Sequence, residues 1–259
     1  QARNGGVEGD LPGRLARGRA RGVREAGGPA ARRAAQVEEG GRRVTTTHAN
    51  GLVTIQTYNL LGELVSVTND LGLTQGTTTY VYDNAGRLTY VTDPTGVRQF
   101  YIYDEADRKI AQIDGDGSLT EFIYDRTGAV IKTIGYATRI SDATHTSLAS
   151  TNAVTLASLR TEAGTNPSAD RITRQVFNAA RQLVYSIDAI GAVTEYRYDG
   201  AGRLTDTLQR RNIVTIARTV DQVLPANINI ANHEEDRRTR TFYDNDGQIV
   251  GVLDAEGSL

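Results

Sequence analysis

From Val44 onward, short runs of apolar and polar residues are cut at regular intervals by the same punctuation, Asp/Asn-x-x-Gly. The run "TTTYVYDNAGRLTYVTDPTG" shows it twice: Asp83 to Gly86, then Asp93 to Gly96 ten residues on. First turns of this kind start at Asn59, Asp83, Asp104, Asp125, Asn178, Asp199 and Asp244. Second turns follow ten residues later at Asn69, Asp93, Asp114, Asp188 and Asp254. Where nothing intervenes, the next unit starts eleven residues after that, so the period is 21 residues.

Elementary turn chemistry explains the unit. An Asp or Asn at the first position caps backbone donors two residues ahead, and a Gly at the fourth accepts the positive φ of a bulged hairpin turn. The structural turn residues on this reading are Asp83 with Gly86, Asp93 with Gly96, Asp104, Asp114 with Gly117, Asp125 with Gly128, Asp188 with Gly191, Asp199 with Gly202, Asp244 with Gly247 and Asp254 with Gly257. Asp107 and Arg181 occupy the glycine position in the third and fifth units, and Arg181 is expected to weaken its turn. The six to seven residues between turns span about 20 Å as a strand. A period of 21 is too short for a βαβ crossover, so consecutive strands run antiparallel. The predicted fold is mainly β: an antiparallel meander of about seven repeats in an open, curved sheet.

The strand entering each first turn alternates. Tyr80/Tyr82, Tyr101/Tyr103, Phe122/Tyr124 and Tyr196/Tyr198 each place two rings on one face, which predicts an aromatic stripe across the sheet. Such a stripe either packs the sheet, the favoured reading, or offers a stacking platform for sugars or bases. The other strands, "RLTYVT" and "KIAQI" among them, do not alternate cleanly.

The fourth and sixth units lack a second turn and carry insertions instead, from about 135 to 169 and from about 209 to 235. Both exit through similar phrases, "ADRITRQVFN" and "EDRRTRTFYD", with Asp170 and Asp236 eight residues before the next turn. "HTSLASTNAVTLASLRTEA" predicts a short helix with Leu148, Leu156 and Leu159 as its apolar positions, and "IVTIARTVDQVL" a second, weaker one.

Composition divides the chain into two regions, 1–43 and 44–259. The first 43 residues hold ten Arg, no Lys, ten Gly and five acids, a net charge of +5, against −7 for the remainder. They contain no Ile, Phe or Tyr and are expected to be disordered, apart from weak helical tendency around Ala30 to Glu39. A nucleic-acid-binding arm is the sharper alternative, and a misread frame of GC-rich DNA a third; no nucleic-acid partner is expected. The chain has no Met and begins with Gln1, which points to a processed form or an internal fragment. No leader-like segment opens it, and no apolar run reaches the roughly 20 residues of a membrane span.

Chemistry is sparse. With no Cys, thiolate metal sites and Cys nucleophiles are excluded. His48, His145 and His233 have no partner at metal-ligand spacing, and no phosphate loop or nucleophile elbow occurs. "DGDGS", Asp114 to Ser118, has the look of a calcium loop but places Leu119 where an EF-hand needs Gly. It reads instead as the second turn of its unit. No catalytic, metal or cofactor residue is assigned, and no cofactor is expected.

"YDNAGRLTYVTDPTG", "YDGAGRLTDTL" and "YDNDGQIVGVLDAEG" resemble YD repeats of the Rhs family, found in bacterial Rhs proteins, toxin-complex C subunits, wall-associated proteins and teneurins. The resemblance covers about 215 residues, Val44 to Leu259. It departs at Tyr58-Asn59 and Phe177-Asn178, where Asn stands for Asp, and at "AARQL", which lacks the glycine. What it implies is a sheet that forms part of a spiral β-shell, enclosing a C-terminal toxin in some members, and carbohydrate binding in others. The expected role is then a non-enzymatic shell or scaffold of an exported or cell-surface bacterial protein. Its partners would be the rest of the same polypeptide and its encapsulated segment; the alternative is a surface adhesin recognising a glycan. Seven repeats leave the sheet open, with association-prone edges.

Overall fold

The computed structural model describes residues 34–37, 42–70, 72, 75–150, 154–166 and 168–257, the side chains of 34–37 excepted. The strands run β1 (Ala34–Val37), β2 (Arg43–Thr47), β3 (Val53–Tyr58), β4 (Leu64–Asp70), β5 (Gln75–Tyr82), β6 (Leu88–Thr92), β7 (Arg98–Tyr103) and β8 (Lys109–Ile113). They continue as β9 (Leu119–Tyr124), β10 (Val130–Gly135), β11 (Arg171–Phe177), β12 (Leu183–Ile187), β13 (Ala192–Tyr198), β14 (Leu204–Ile213), β15 (Arg237–Tyr243) and β16 (Ile249–Leu253). Among the described residues these sixteen strands form one sheet in strict chain order, every pair antiparallel, with β1 and β16 as open edges. This is the expected open meander.

Each first turn throws a bulge into its hairpin. The register slips where Tyr82 meets Leu88, Tyr103 meets Lys109 and Tyr198 meets Leu204, as at the equivalent hairpins of the other units. A bulge is the natural partner of a type I turn whose fourth residue has positive φ. The predicted turn glycines Gly86, Gly96, Gly117, Gly128, Gly191, Gly202, Gly247 and Gly257 all take that conformation, with φ between 79° and 90°. Asp107 (φ 60°) and Arg181 (φ 61°) adopt it without being glycine.

Four local expectations are corrected. Asn69 does not start a turn: it lies in β4 opposite Gly76, and its Oδ1 accepts from Thr54 Oγ1 at 3.0 Å. The next residue takes over the capping, since Asp70 Oδ1 accepts from Gly72 N at 2.6 Å. The helical tendency around Ala30 to Glu39 fails at Ala34–Val37, which is strand β1 paired to β2; residues 1–33 lie outside the described residues.

The predicted helix of the first insertion is two helices, α1 (Asp142–Ser147) and α2 (Leu156–Ala163), with residues 151–153 between them outside the described set. Thr155 and Ser158 form a reciprocal capping box at the start of α2. Leu159 is fully buried there, with Leu148 and Leu156 packed around it. The weaker helix expected over 213–224 is absent: the chain leaves β14 at Ile213 and runs irregularly to a 3₁₀ turn at Pro225–Asn227. The β-branched Val214, Thr215, Ile216, Thr219 and Val220 disfavour a helix there. The backbone is also engaged elsewhere. Val214 N donates to Gly191 O, and the carbonyls of Ala217, Arg218 and Val220 accept from buried cations of the sheet.

The two apolar clusters lie on one face of the sheet, each beneath an insertion. The first joins Phe100, Ala111, Ile113 and Leu119 to Ile140, Leu159 and Ala163. The second joins Val176, Ile187 and Val193 to Val223. Each insertion folds back over the strands that precede it and anchors on a second turn: Ile140 N donates to Gly117 O and Val214 N to Gly191 O, both at 2.8 Å. Those two glycines also need their missing side chain, because a Cβ would stand 2.5 Å from Ile140 O or 2.2 Å from Val214 O.

Candidate functional site

The turn carboxylates point inward to their own loops. In the first turns at Asp83, Asp104, Asp125, Asp199 and Asp244, the Asp N–H donates to the carbonyl four residues on, at 2.9–3.0 Å. Their Oδ1 atoms accept from the N–H groups two and four residues ahead, as Asp83 does from Ala85 and Arg87, both at 2.9 Å. Asp93 and Asp188 do the same in second turns, and Asp254 accepts from Glu256 N. The Arg108 and Arg203 N–H groups, first among several donors, hold the Asp104 and Asp199 carboxyls below the usual carboxylate range. Asp114 departs from the rule: Asp116 Oδ1 accepts the Ser118 N–H, while Asp114 Oδ1 takes the side-chain amides of Gln99 (2.7 Å) and Gln112 (2.9 Å). Among the described residues no three His, Asp or Glu side chains gather closely enough to hold a metal.

The turn glycines divide by what surrounds them. Gly117 and Gly191 lie under the insertions, whereas Gly247 is exposed at the tip of the hairpin between β15 and β16. Gly247 N donates to Asp244 O at 3.1 Å, and a Cβ there would come no nearer than 3.7 Å to Arg203 Nη1, an ordinary contact. Space does not call for glycine at 247; the positive φ of the turn does. Gly247 is therefore a corner of the hairpin. The exposed Gly86, Gly96, Gly128, Gly202 and Gly257 are corners of the same kind.

The aromatic stripe lies on the face opposite the apolar clusters. Tyr101 alternates with the buried Phe100, Phe122 with the buried Glu121, and Tyr196 with the buried Glu195, and all eight stripe rings are half-buried. The second Tyr of each pair is tethered. The hydroxyls of Tyr82, Tyr103, Tyr124 and Tyr198 donate to the carbonyls of Leu64, Leu88, Lys109 and Leu183, at 2.7–3.0 Å. Tyr243 does the same to Leu204 O at 2.9 Å. Each bond reaches back to the strand after the previous first turn, so it ties one repeat to the next. Burial pushes the phenols of Tyr82, Tyr103, Tyr124 and Tyr198 above their ordinary pKa. Of the remaining rings, Tyr101 and Phe122 flank the Lys109 ammonium at 5.4 and 5.0 Å, and Tyr80 and Tyr196 complete the stripe.

A second tie was written in the sequence and not read from it: the residue after each turn glycine position. Arg87 Nε pairs with Asp83 Oδ2 at 2.7 Å, its Nη1 donates to Asp104 O at 3.0 Å, and its guanidinium lies 5.1 Å from the Tyr103 ring. Arg108 repeats this on Asp104, Asp125 O and Tyr124, and Arg203 on Asp199, Asp244 O and Tyr243. Each Arg therefore couples its own turn carboxylate to the backbone and ring of the following unit. The signal was the periodic Arg of "DNAGR", "DEADR" and "DGAGR".

On the other face the insertions bring charge to charge. Glu121, 1% exposed, accepts from Arg160 Nε of α2 at 3.0 Å and from Tyr136 Oη at 2.7 Å. Burial, with the Glu121 hydrogen bond second, pushes Tyr136 up to about 12. Glu195 accepts from Arg197 and Arg210, and Arg210 continues to Asp236 at 2.8 Å. Lys132, 3% exposed, pairs with Asp221 at 2.8 Å, and Arg174 donates to Ala217 O at 3.0 Å. Burial lowers the Arg174 pKa, with Asp221 opposing it. Asp170 and Asp236, the equivalent exit residues, each bind backbone N–H groups from both legs of their insertion: Ala137 and Asn166 for one, Arg211 and His233 for the other. Buried charges are tolerated only when paired and hydrogen-bonded. Their presence at inward-facing strand positions is the mark of a covered face.

Residues 58–98 match the family model described as RHS Repeat. No curated protein matches the sequence. Among solved structures the chain is similar to the crystal structure of TcdB2-TccC3 without hypervariable C-terminal region. That likeness has 13% identity and a TM-score of 0.44, over 87% of this chain and 12% of that one. It is also similar to TcdB2-TccC3-Cdc42, at 13% identity over 82% of this chain and 15% of that one, with a TM-score of 0.33. A further likeness is to the Photorhabdus luminescens Tc holotoxin pore, at 12% identity over 85% of this chain and 15% of that one, with a TM-score of 0.24. The chain thus spans 12–15% of the length of these proteins. An RHS repeat is thus matched across the first two units, and the same turn and bulge recur through all seven units of the described residues.

Proposed function

We propose that this chain works as a wall segment of a larger exported protein, a non-enzymatic scaffold of the Rhs toxin type, with residues 44–259 as the working region. The chain is a structural repeat segment, with an RHS repeat matched at residues 58–98. The observation that carries the proposal is where the chemistry-bearing side chains go. Turn carboxylates cap their own loops, and the tethered tyrosines and latch arginines tie one repeat to the next. Each insertion then covers an apolar cluster with paired charges. Side chains so engaged make a stiff plate, and a plate with open edges suits continuation into more of the same polypeptide.

The test is to read the reading frame on both sides of this segment. Further repeats leading to an unrelated C-terminal segment would support a shell around a cargo. Repeats leading to a wall or membrane anchor, with no cargo, would overturn it in favour of the surface adhesin, for which a glycan array probes the ligand. Hydrolytic activity of the purified chain that disappears on one point substitution would overturn the non-enzymatic reading.

A further inference from the structure

Six junctions join the seven first turns, and at five of them the residue after the turn glycine position sends a side chain toward the next turn. Arg87, Arg108 and Arg203 make the latch described above. Gln182 Nε2 reaches Gly202 O at 3.5 Å, and Glu63 Oε1 lies 3.0 Å from where a Cβ on Gly86 would stand. The junction between the fourth and fifth units differs. Ala129 occupies the latch position and cannot reach, and Phe177 stands where the next tyrosine belongs, so the hydroxyl tie is missing as well. A groove of about 690 Å³ opens there, lined by Asp125, Ala129, Phe177 and Asn178, with Leu224 and Pro225 of the second insertion along it.

We propose that this groove is a binding slot for an arginine side chain presented by a partner polypeptide. Its parts are those that hold Arg87, Arg108 and Arg203 elsewhere in the same molecule. Asp125 Oδ1 is occupied by Thr127 and Ala129, as in every first turn, while Oδ2, the atom that binds the latch guanidinium in the other units, has no partner among the described residues. Asn178 O corresponds to Asp104 O, and the Phe177 ring to the Tyr103 ring. A carboxylate oxygen, a carbonyl and an aromatic face together suit a planar guanidinium better than an ammonium, since the fork bonds both oxygens while its plane lies over the ring. Arg181, exposed on the same groove, stands where Asp107 helps hold Arg87 in the third unit. Its charge opposes an incoming cation and weakens the slot without closing it.

The test uses the whole chain and a capped peptide with the sequence of residues 85–90, the chain's own latch segment, titrated while the Ala129 methyl and Phe177 ring are followed by NMR. Saturable shifts at those two residues are expected. Exchanging the peptide's arginine for alanine, or Asp125→Asn in the protein, should weaken binding about tenfold, the worth of a charge-assisted hydrogen bond. Arg181→Gly should tighten it about threefold, the size of an exposed charge interaction. Ala129→Arg, which fills the slot from within, should abolish binding in a chain at least as stable, and it keeps the test valid if Asp125→Asn fails to fold. The proposal falls if the alanine peptide binds equally well, or if Ala129→Arg leaves binding unchanged.

Discussion

Arg108→Ala removes one latch and leaves its neighbours in place. Three contacts go. The pair to Asp104 joins side chains 37% and 20% exposed at 2.7 Å, a setting worth about 0.2–1 kcal/mol. The guanidinium lies 4.9 Å from the Tyr124 ring centroid, worth about 0.5–1 kcal/mol for a half-exposed site. The bond to Asp125 O is long at 3.4 Å and adds little. The expected loss is about 1–2 kcal/mol, or about 2–6 °C in Tm for a chain of this size. The assay is a double-mutant cycle by urea unfolding: Arg108→Ala, Tyr124→Leu and both together. Coupling of about 0.5 kcal/mol or more, persisting in 1 M salt, shows that the ring is part of the latch. Full additivity would refute it, leaving the Arg108–Asp104 pair as a local surface contact and the link between repeats to the tyrosine hydroxyls alone.

Arg181→Gly should stabilise the chain by about 1 kcal/mol, because Arg181 holds φ 61° in a turn whose hydrogen bonds to Asn178 do not need its side chain; thermal unfolding reads it directly. Gly191→Ala should unseat the second insertion, since its Cβ meets Val214 O at 2.2 Å, and limited proteolysis should then cut within 214–235 while the first insertion stays protected. Burial raises the Asp236 pKa, but the Arg211 and His233 N–H groups and the Arg210 guanidinium outweigh it and hold the carboxyl down at about 2, against 3.8 unperturbed. The folded-state pKa is depressed, so its contribution, about 2 kcal/mol, is complete above the unfolded value and is lost as pH falls from about 4 to 2. Asp236→Asn should therefore be less stable than the native chain at pH 7, and the gap should narrow toward pH 2; a gap independent of pH would contradict this.

Much of the architecture was legible in the residues. The first-turn Asp and Asn side chains and the positive-φ positions fall where local chemistry demands them, from Gly247 at an open hairpin tip to the left-handed Asp107 and Arg181. At Arg181, where a weaker turn was expected, the turn keeps its hydrogen bonds, with Arg181 N donating to Asn178 O at 3.0 Å, and the residue holds φ 61°. The turn expected at Asn69 failed because Asp70 beside it offers the same cap and lets β4 extend. The helix expected over 213–224 failed because its carbonyls serve Lys132 and Arg174, partners more than 40 residues away. No local pattern carries that information.

By itself, then, the sequence determined the meander: its period, its antiparallel sense and its punctuation, because each rests on contacts within four residues of a turn aspartate. Only the tertiary structure decided which face is covered. It placed Glu121, Lys132, Arg174 and Glu195 under the insertions, set the stripe tyrosines on the other side, and opened a groove beside Ala129. These outcomes depend on how strands and insertions distant in the chain come to lie against one another. A buried charge is viable only where that meeting supplies its counter-charge.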